Sequence, residues 1–170
     1  MPLKNPKDLP KIPKTRKKKA FNAIEAIPDP KPDKHEYNCK AFYHFDESSQ
    51  NQLCVFRIET VAEFTSFVYE VAVDIVQEKR EFYLVLMGLK AKANAIPGVE
   101  PAITDITFRD LVGEYQINIV KQDGAINSAV YKFNPFKKEI LLVKEYKPKK
   151  KNNRLFCKFN IAEELFTFQE

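Results

Sequence analysis

The stretch GEYQINIVKQDGAINSAVYKF, residues 113–133, constrains the fold more than any other part of the chain. Two runs of period-two alternation flank QDG, which suits a three-residue hairpin loop with Gly124 at positive φ. That loop sets Lys121 opposite Ala125, and therefore Ile117 opposite Ala129, Tyr115 opposite Tyr131 and Glu114 opposite Lys132. One face is then apolar, while an exposed pair carries opposite charges. A two-residue loop would set Gln116 against Tyr131 and mix the two faces, because a one-residue slip turns every side chain over.

The same period recurs from residue 36 onward. EYNCKAFYHFD places Tyr37, Cys39, Ala41, Tyr43 and Phe45 on one face, and LCVFRIETV (53–61) follows after a polar turn. The stretch 63–77 fits both helical and strand spacing. Its β-branched and aromatic residues, with no helix cap, favour a strand that turns at QEKR into another over 81–91. After the irregular connection 91–101 come ITDITF, the hairpin, and EILLVKEYK (139–147). The basic run 148–154 reads as a hairpin loop into LFCKFNI (155–161). The final AEELFTFQE reads either as a helical turn capped by Asn160 or as one more edge strand.

Eight or nine short strands without βαβ alternation predict an all-β, antiparallel β-sandwich, with a small β-barrel as the alternative. Four glycines are few for a barrel's sharp bends, which favours the sandwich. With 44% apolar and 12% aromatic residues the chain has the material for a core. A folded part of roughly 135–140 residues would bury about two thirds of its extended-chain surface.

Residues 1–34 differ in kind. Seven of the eleven prolines lie within residues 1–32, and proline neither donates to a ladder nor leaves φ free. The expected organisation is a basic, Pro-rich arm and spacer over 1–34, then an antiparallel β domain over 35–170. Within the first part, AFNAIEAI (20–27) has the makings of a short helical clip. The net charge is +5, yet the first twenty residues hold eight basic side chains and one acid, or +7, leaving −2 for the rest. KEYKPKKKNNR (144–154) holds six basic residues and one acid, or +5, so everything outside the two runs sums to −7.

Catalytic constellations are missing. Cys39 and His44 are separated by an odd number on one strand and so face opposite ways. Cys39, Cys54 and Cys157 form neither a disulfide framework nor a CxxC pair, and no zinc or calcium spacing occurs. With Gly only at 88, 98, 113 and 124 there is no phosphate-cradling loop. NPF (134–136) reads as a turn. No cofactor and no metal are expected.

The basic runs remain. Charge concentrated on an extended leader stabilises no core, so a partner explains it better than the fold does. Lys14, Arg16, Lys17, Lys18 and Lys19 of the arm, with Lys147, Lys149, Lys150, Lys151 and Arg154 of the loop, are the expected contacts for a polyanion, nucleic acid read without sequence preference, or for an acidic protein. The expected function is a non-enzymatic binding or assembly module. Two alternatives stay open: a small-molecule carrier or enzyme on a β-barrel pocket, suggested by fourteen Phe and seven Tyr, and a coat-like structural subunit. The longest apolar run, FYLVLMGL, has eight residues against the ~20 of a membrane-spanning helix. Absence of a secretory signal and of a disulfide pattern points to an intracellular, cytoplasmic protein, or a nuclear one if the source is eukaryotic.

Overall fold

The computed structural model describes residues 32–149 and 153–170. Nine strands run in the order β1 (Tyr37–Asp46), β2 (Asn51–Phe64), β3 (Tyr69–Glu78), β4 (Glu81–Ala91), β5 (Glu100–Arg109), β6 (Gly113–Lys121), β7 (Ile126–Asn134), β8 (Glu139–Tyr146) and β9 (Cys157–Ile161). They form two sheets, one ordered β5-β2-β1-β9 and the other β3-β4-β6-β7-β8. The sheets pack face to face as a sandwich and do not close, so the barrel alternative is set aside.

Alternation fills the space between the sheets. Cys39, Ala41 and Tyr43 of β1 and Cys54, Phe56 and Ile58 of β2 meet Phe82, Leu84, Ile117, Ile119, Ala129, Tyr131 and Phe133 of the facing sheet. The aromatic wealth of the sequence is spent here. Phe56 packs edge-on against Tyr131 at 5.5 Å and Phe133 at 5.8 Å, and Phe82 lies 4.2 Å from Phe108. Buried tyrosines need partners for their hydroxyls, and both find them in the opposite sheet. Tyr131 Oη donates to the carbonyl of Asn160 at 3.1 Å, and Tyr43 Oη to that of Glu139 at 3.2 Å. Each ring therefore ties the two layers by a directional bond as well as by apolar burial.

The β6–β7 hairpin has the predicted register: Ile117 pairs with Ala129, Tyr115 with Tyr131 and Glu114 with Lys132. Lys121 N donates to Ala125 O at 2.9 Å, and Gly124 sits at φ +86°. The stretch 63–77 is corrected. β2 runs on to Phe64, the chain turns over 65–68, and β3 starts at Tyr69, leaving Phe67 56% exposed where the alternation had placed it in line with the core. β3 and β4 then form the expected hairpin.

Two ladders are parallel, β1 with β9 and β4 with β6. Topology explains the second. The chain leaves β4, runs back through β5 in the other sheet and returns, so β6 enters in the direction of β4. The first overturns the hairpin loop expected over 148–154. β8 and β9 lie in different sheets, and the basic segment is a crossover between them. β9 completes the edge of β1, where Phe159 points inward and stands 6.4 Å from Tyr131. The chain's end forms a short 3-10 turn, Glu163–Leu165, flanked by Ala162 without a side-chain cap. Asn160 does not cap it, because the N-cap position falls on Ala162, two residues further on.

Candidate polyanion-binding face

Strand directions bring specific connections to one end of the sandwich. The start of β1, the β6–β7 turn and the β8–β9 crossover meet there, as the pairings of Tyr37 with Cys157 and Tyr146 with Ser128 require. The chain arrives at β1 alongside the crossover. Leu155 N donates to Asp33 Oδ1 at 2.7 Å, Lys34 N to Leu155 O at 3.0 Å, and Glu36 N to Phe156 O at 2.8 Å. Residues 32–36 and 154–156 are thus stitched side by side, at the downstream end of the second basic run.

The sequence-predicted contacts divide into three groups. Lys14, Arg16, Lys17, Lys18 and Lys19 lie outside the described residues, as do Lys150 and Lys151. Lys147 and Lys149 are exposed. Arg154 corrects the expectation. It is 6% exposed, its guanidinium lies 2.8 Å from Glu36 Oε2 and 3.5 Å from Asp123 Oδ2, and it stacks over the Phe156 ring at 5.8 Å. A cation so enclosed serves the fold, since turning it toward an outside anion would break its ion pairs with Glu36 and Asp123.

Glu36 is the hub of this cluster. Besides Arg154 it accepts from Lys121 Nζ at 2.8 Å. Partial burial pushes its carboxyl up, but the two cationic donors outweigh that and hold it below the ordinary glutamate value. Arg154 Nε is buried and unpartnered, and the aromatic face of Phe156 beneath it supplies the compensation available there.

Two asparagines hold the crossover against β7. Asn127, 1% exposed, accepts from Phe156 N at 2.8 Å and Cys157 N at 2.9 Å through Oδ1, while its Nδ2 donates to Arg154 O at 2.9 Å. Asn153 accepts from Ile126 N at 3.0 Å and donates to Ile126 O at 2.9 Å, copying with one side chain the paired bonds of a strand neighbour. The segment carrying the lysines is therefore anchored at its downstream end.

Between crossover and sheet lies an open cleft of about 400 Å³. Lys147, Pro148, Lys149 and Asn153 form one wall, with Ile126, Ser128, Gln116 and Tyr146 on the outer face of the sheet. Asp123, at the rim, faces Arg154. The floor is a fixed polar chain: Gln116 Nε2 donates to Asn118 Oδ1 at 2.9 Å, Ser128 Oγ donates to the same oxygen at 2.6 Å, and Asn118 Nδ2 reaches Phe82 O at 3.3 Å. Sequence reasoning missed Tyr146, Gln116 and Ser128. Only the pairing of Ser128 with Tyr146 reveals that they share a face with the lysines.

Elsewhere the chemistry is quiet. All three thiols are free and buried, and burial pushes each up, Cys54 to about 12, so none is a thiolate at neutral pH. Cys39 faces the core while His44, on the opposite face, shares a hydrogen bond with Thr167 at 3.1 Å. Among the described residues no three His, Cys, Asp or Glu side chains converge on a metal position, and no helix is long and apolar enough to cross a membrane. Comparison with protein-family models, curated proteins and solved structures returns no match.

Proposed function

We propose that the protein is a non-enzymatic module that binds a polyanion, nucleic acid in the first place, through its two basic runs acting together. What supports this reading is the charge of the two runs, the first leading in sequence toward residues 32–36, which are stitched to 154–156 at the end of the second. Two runs of +7 and +5, each weak alone, then work on one ligand, because the second contact is made at high effective concentration. Binding of this kind draws on counterion release and needs no particular base sequence.

The test is fluorescence anisotropy of the full chain with a labelled oligonucleotide across a salt series. Contacts from the arm to about seven phosphates give a log–log slope of roughly −5 to −6, and a fall in affinity of about 10³ between 50 and 200 mM salt. Replacing Lys14, Arg16, Lys17, Lys18 and Lys19 by Gln should flatten the slope by about 4. Salt-independent binding, or an unchanged slope in that variant, would overturn the reading. Preference for an acidic protein over the oligonucleotide at equal salt would redirect it to a protein partner.

A further inference from the structure

We propose that the cleft beside β7 is a seat for single-stranded nucleic acid, with Tyr146 as the stacking platform and Lys147 and Lys149 as the phosphate contacts. The inference rests on the polyanion reading and gives it a strand preference that the arm alone would not produce. A duplex presents phosphates outward and keeps its bases stacked inside, so it offers lysines their contacts but gives an aromatic ring no base face to stack on. A single strand offers a phosphate and a flat π-face at every residue, and sites for it pair cations with exposed aromatic rings.

The cleft has that pairing. Tyr146 is 38% exposed, lines the cleft, and lies within three residues of both lysines. Lys144 Nζ stands 4.4 Å from its ring centroid, so a base stacked on the opposite face completes a cation–ring–base layer. The volume of about 400 Å³ falls within the range of sites that hold one small organic group. Ile126 and Pro148 give the walls an apolar component.

The floor is polar and preorganised. Ser128 spends its hydroxyl proton on Asn118 and keeps its acceptor lone pairs, and Gln116 spends one amide proton on the same oxygen. Asn118, only 3% exposed, is locked by three hydrogen bonds, so these groups meet a ligand without first having to order themselves. Asp123, the acid at the rim among the described residues, already faces the Arg154 guanidinium, which limits its repulsion of a phosphate.

The experiment compares a labelled 12-nucleotide single strand with a blunt duplex of the same sequence, binding to the full-length protein at fixed low salt. The single strand should bind at least tenfold more tightly. Tyr146→Ala should weaken single-strand binding by about 5- to 150-fold, the worth of one stacked base, and leave duplex binding unchanged. Tyr146→Phe should retain the wild-type affinity. Tyr146→Leu, which keeps apolar cover on β8 but has no π-face, should behave like the alanine variant and guards against a folding defect. Lys147→Gln with Lys149→Gln should weaken both ligands and lower the salt slope by about 2. Equal, salt-sensitive affinity for both ligands with no response to Tyr146→Ala would overturn the cleft assignment while leaving the polyanion reading standing. Absence of binding to either ligand would end both.

Discussion

Asn127 shows how much one side chain can decide. Its amide meets three backbone groups of the crossover within a nearly solvent-free pocket. Truncating it leaves buried donors and an acceptor without partners, each worth about 1–3 kcal/mol. Asn127→Ala should therefore lower the unfolding free energy by at least about 3 kcal/mol in urea denaturation. Asn153→Ala should cost only about 1 kcal/mol, because Ile126 is 40% exposed and water can replace the lost bonds there. Equal losses in the two variants would contradict the burial argument. Glu36 gives a second residue-scale expectation. Its carboxyl is depressed below 4.5 in the folded chain, so its contribution is present above about that pH and fades as the pH falls through the folded value. Glu36→Gln should be less stable than wild type by about 1–3 kcal/mol at neutral pH, with the gap closing below pH 4.5. A gap that stays constant down to pH 2 in acid-unfolding curves would mean that the carboxylate's charge is not what holds Arg154. Neither role was legible in the sequence. An asparagine that serves the backbone and one that faces water look alike until the long-range partner is known.

At the scale of elements, legibility follows distance along the chain. The β6–β7 hairpin could be read in register because its turn fixes the pairing and the apolar face confirms it. Gly124 carries that turn at φ +86°, where an added Cβ meets no neighbour but a side chain strains the backbone. Gly124→Ala should lower the melting temperature through a loss of about 1–2 kcal/mol, with the fold intact by circular dichroism. A neutral or stabilising effect would show that the turn relaxes to another type. The crossovers were not readable in this way. Whether residues 155–161 return beside β8 or cross to β1 depends on which open edge they complete, and both choices satisfy the same alternation. The end of β2 is similar. Thr60 lends its hydroxyl to Ala102 N at 2.9 Å across a register shift, and period-two patterning carries no mark of such a bulge.

For the whole molecule, strand periodicity and scarce glycine foretold the sandwich, and the sequence located the charge. It did not foretell that the charge is shared between two duties. Arg154 and Lys121 are enclosed by Glu36 and the rings of Tyr37 and Phe156, whereas Lys147 and Lys149 stand in the open beside a cleft. Counting basic residues treats these as equals, while burial separates them. The distinction bears on how salt should act. Screening weakens exposed charges and leaves enclosed pairs largely alone, so release of the proposed polyanion and loss of the native state should belong to different ranges of ionic strength.

The parallel ladder between β1 and β9 also bears on how the molecule comes into being. Tyr37 must wait for Cys157, 120 positions later in the chain, before its strand acquires its second neighbour. While a ribosome is still making the intervening residues, β1 is an uncovered edge able to recruit a stray strand from another nascent chain. Closure over so long a span is slow. The asparagine-held crossover that delivers β9 is therefore also the step that retires this hazard.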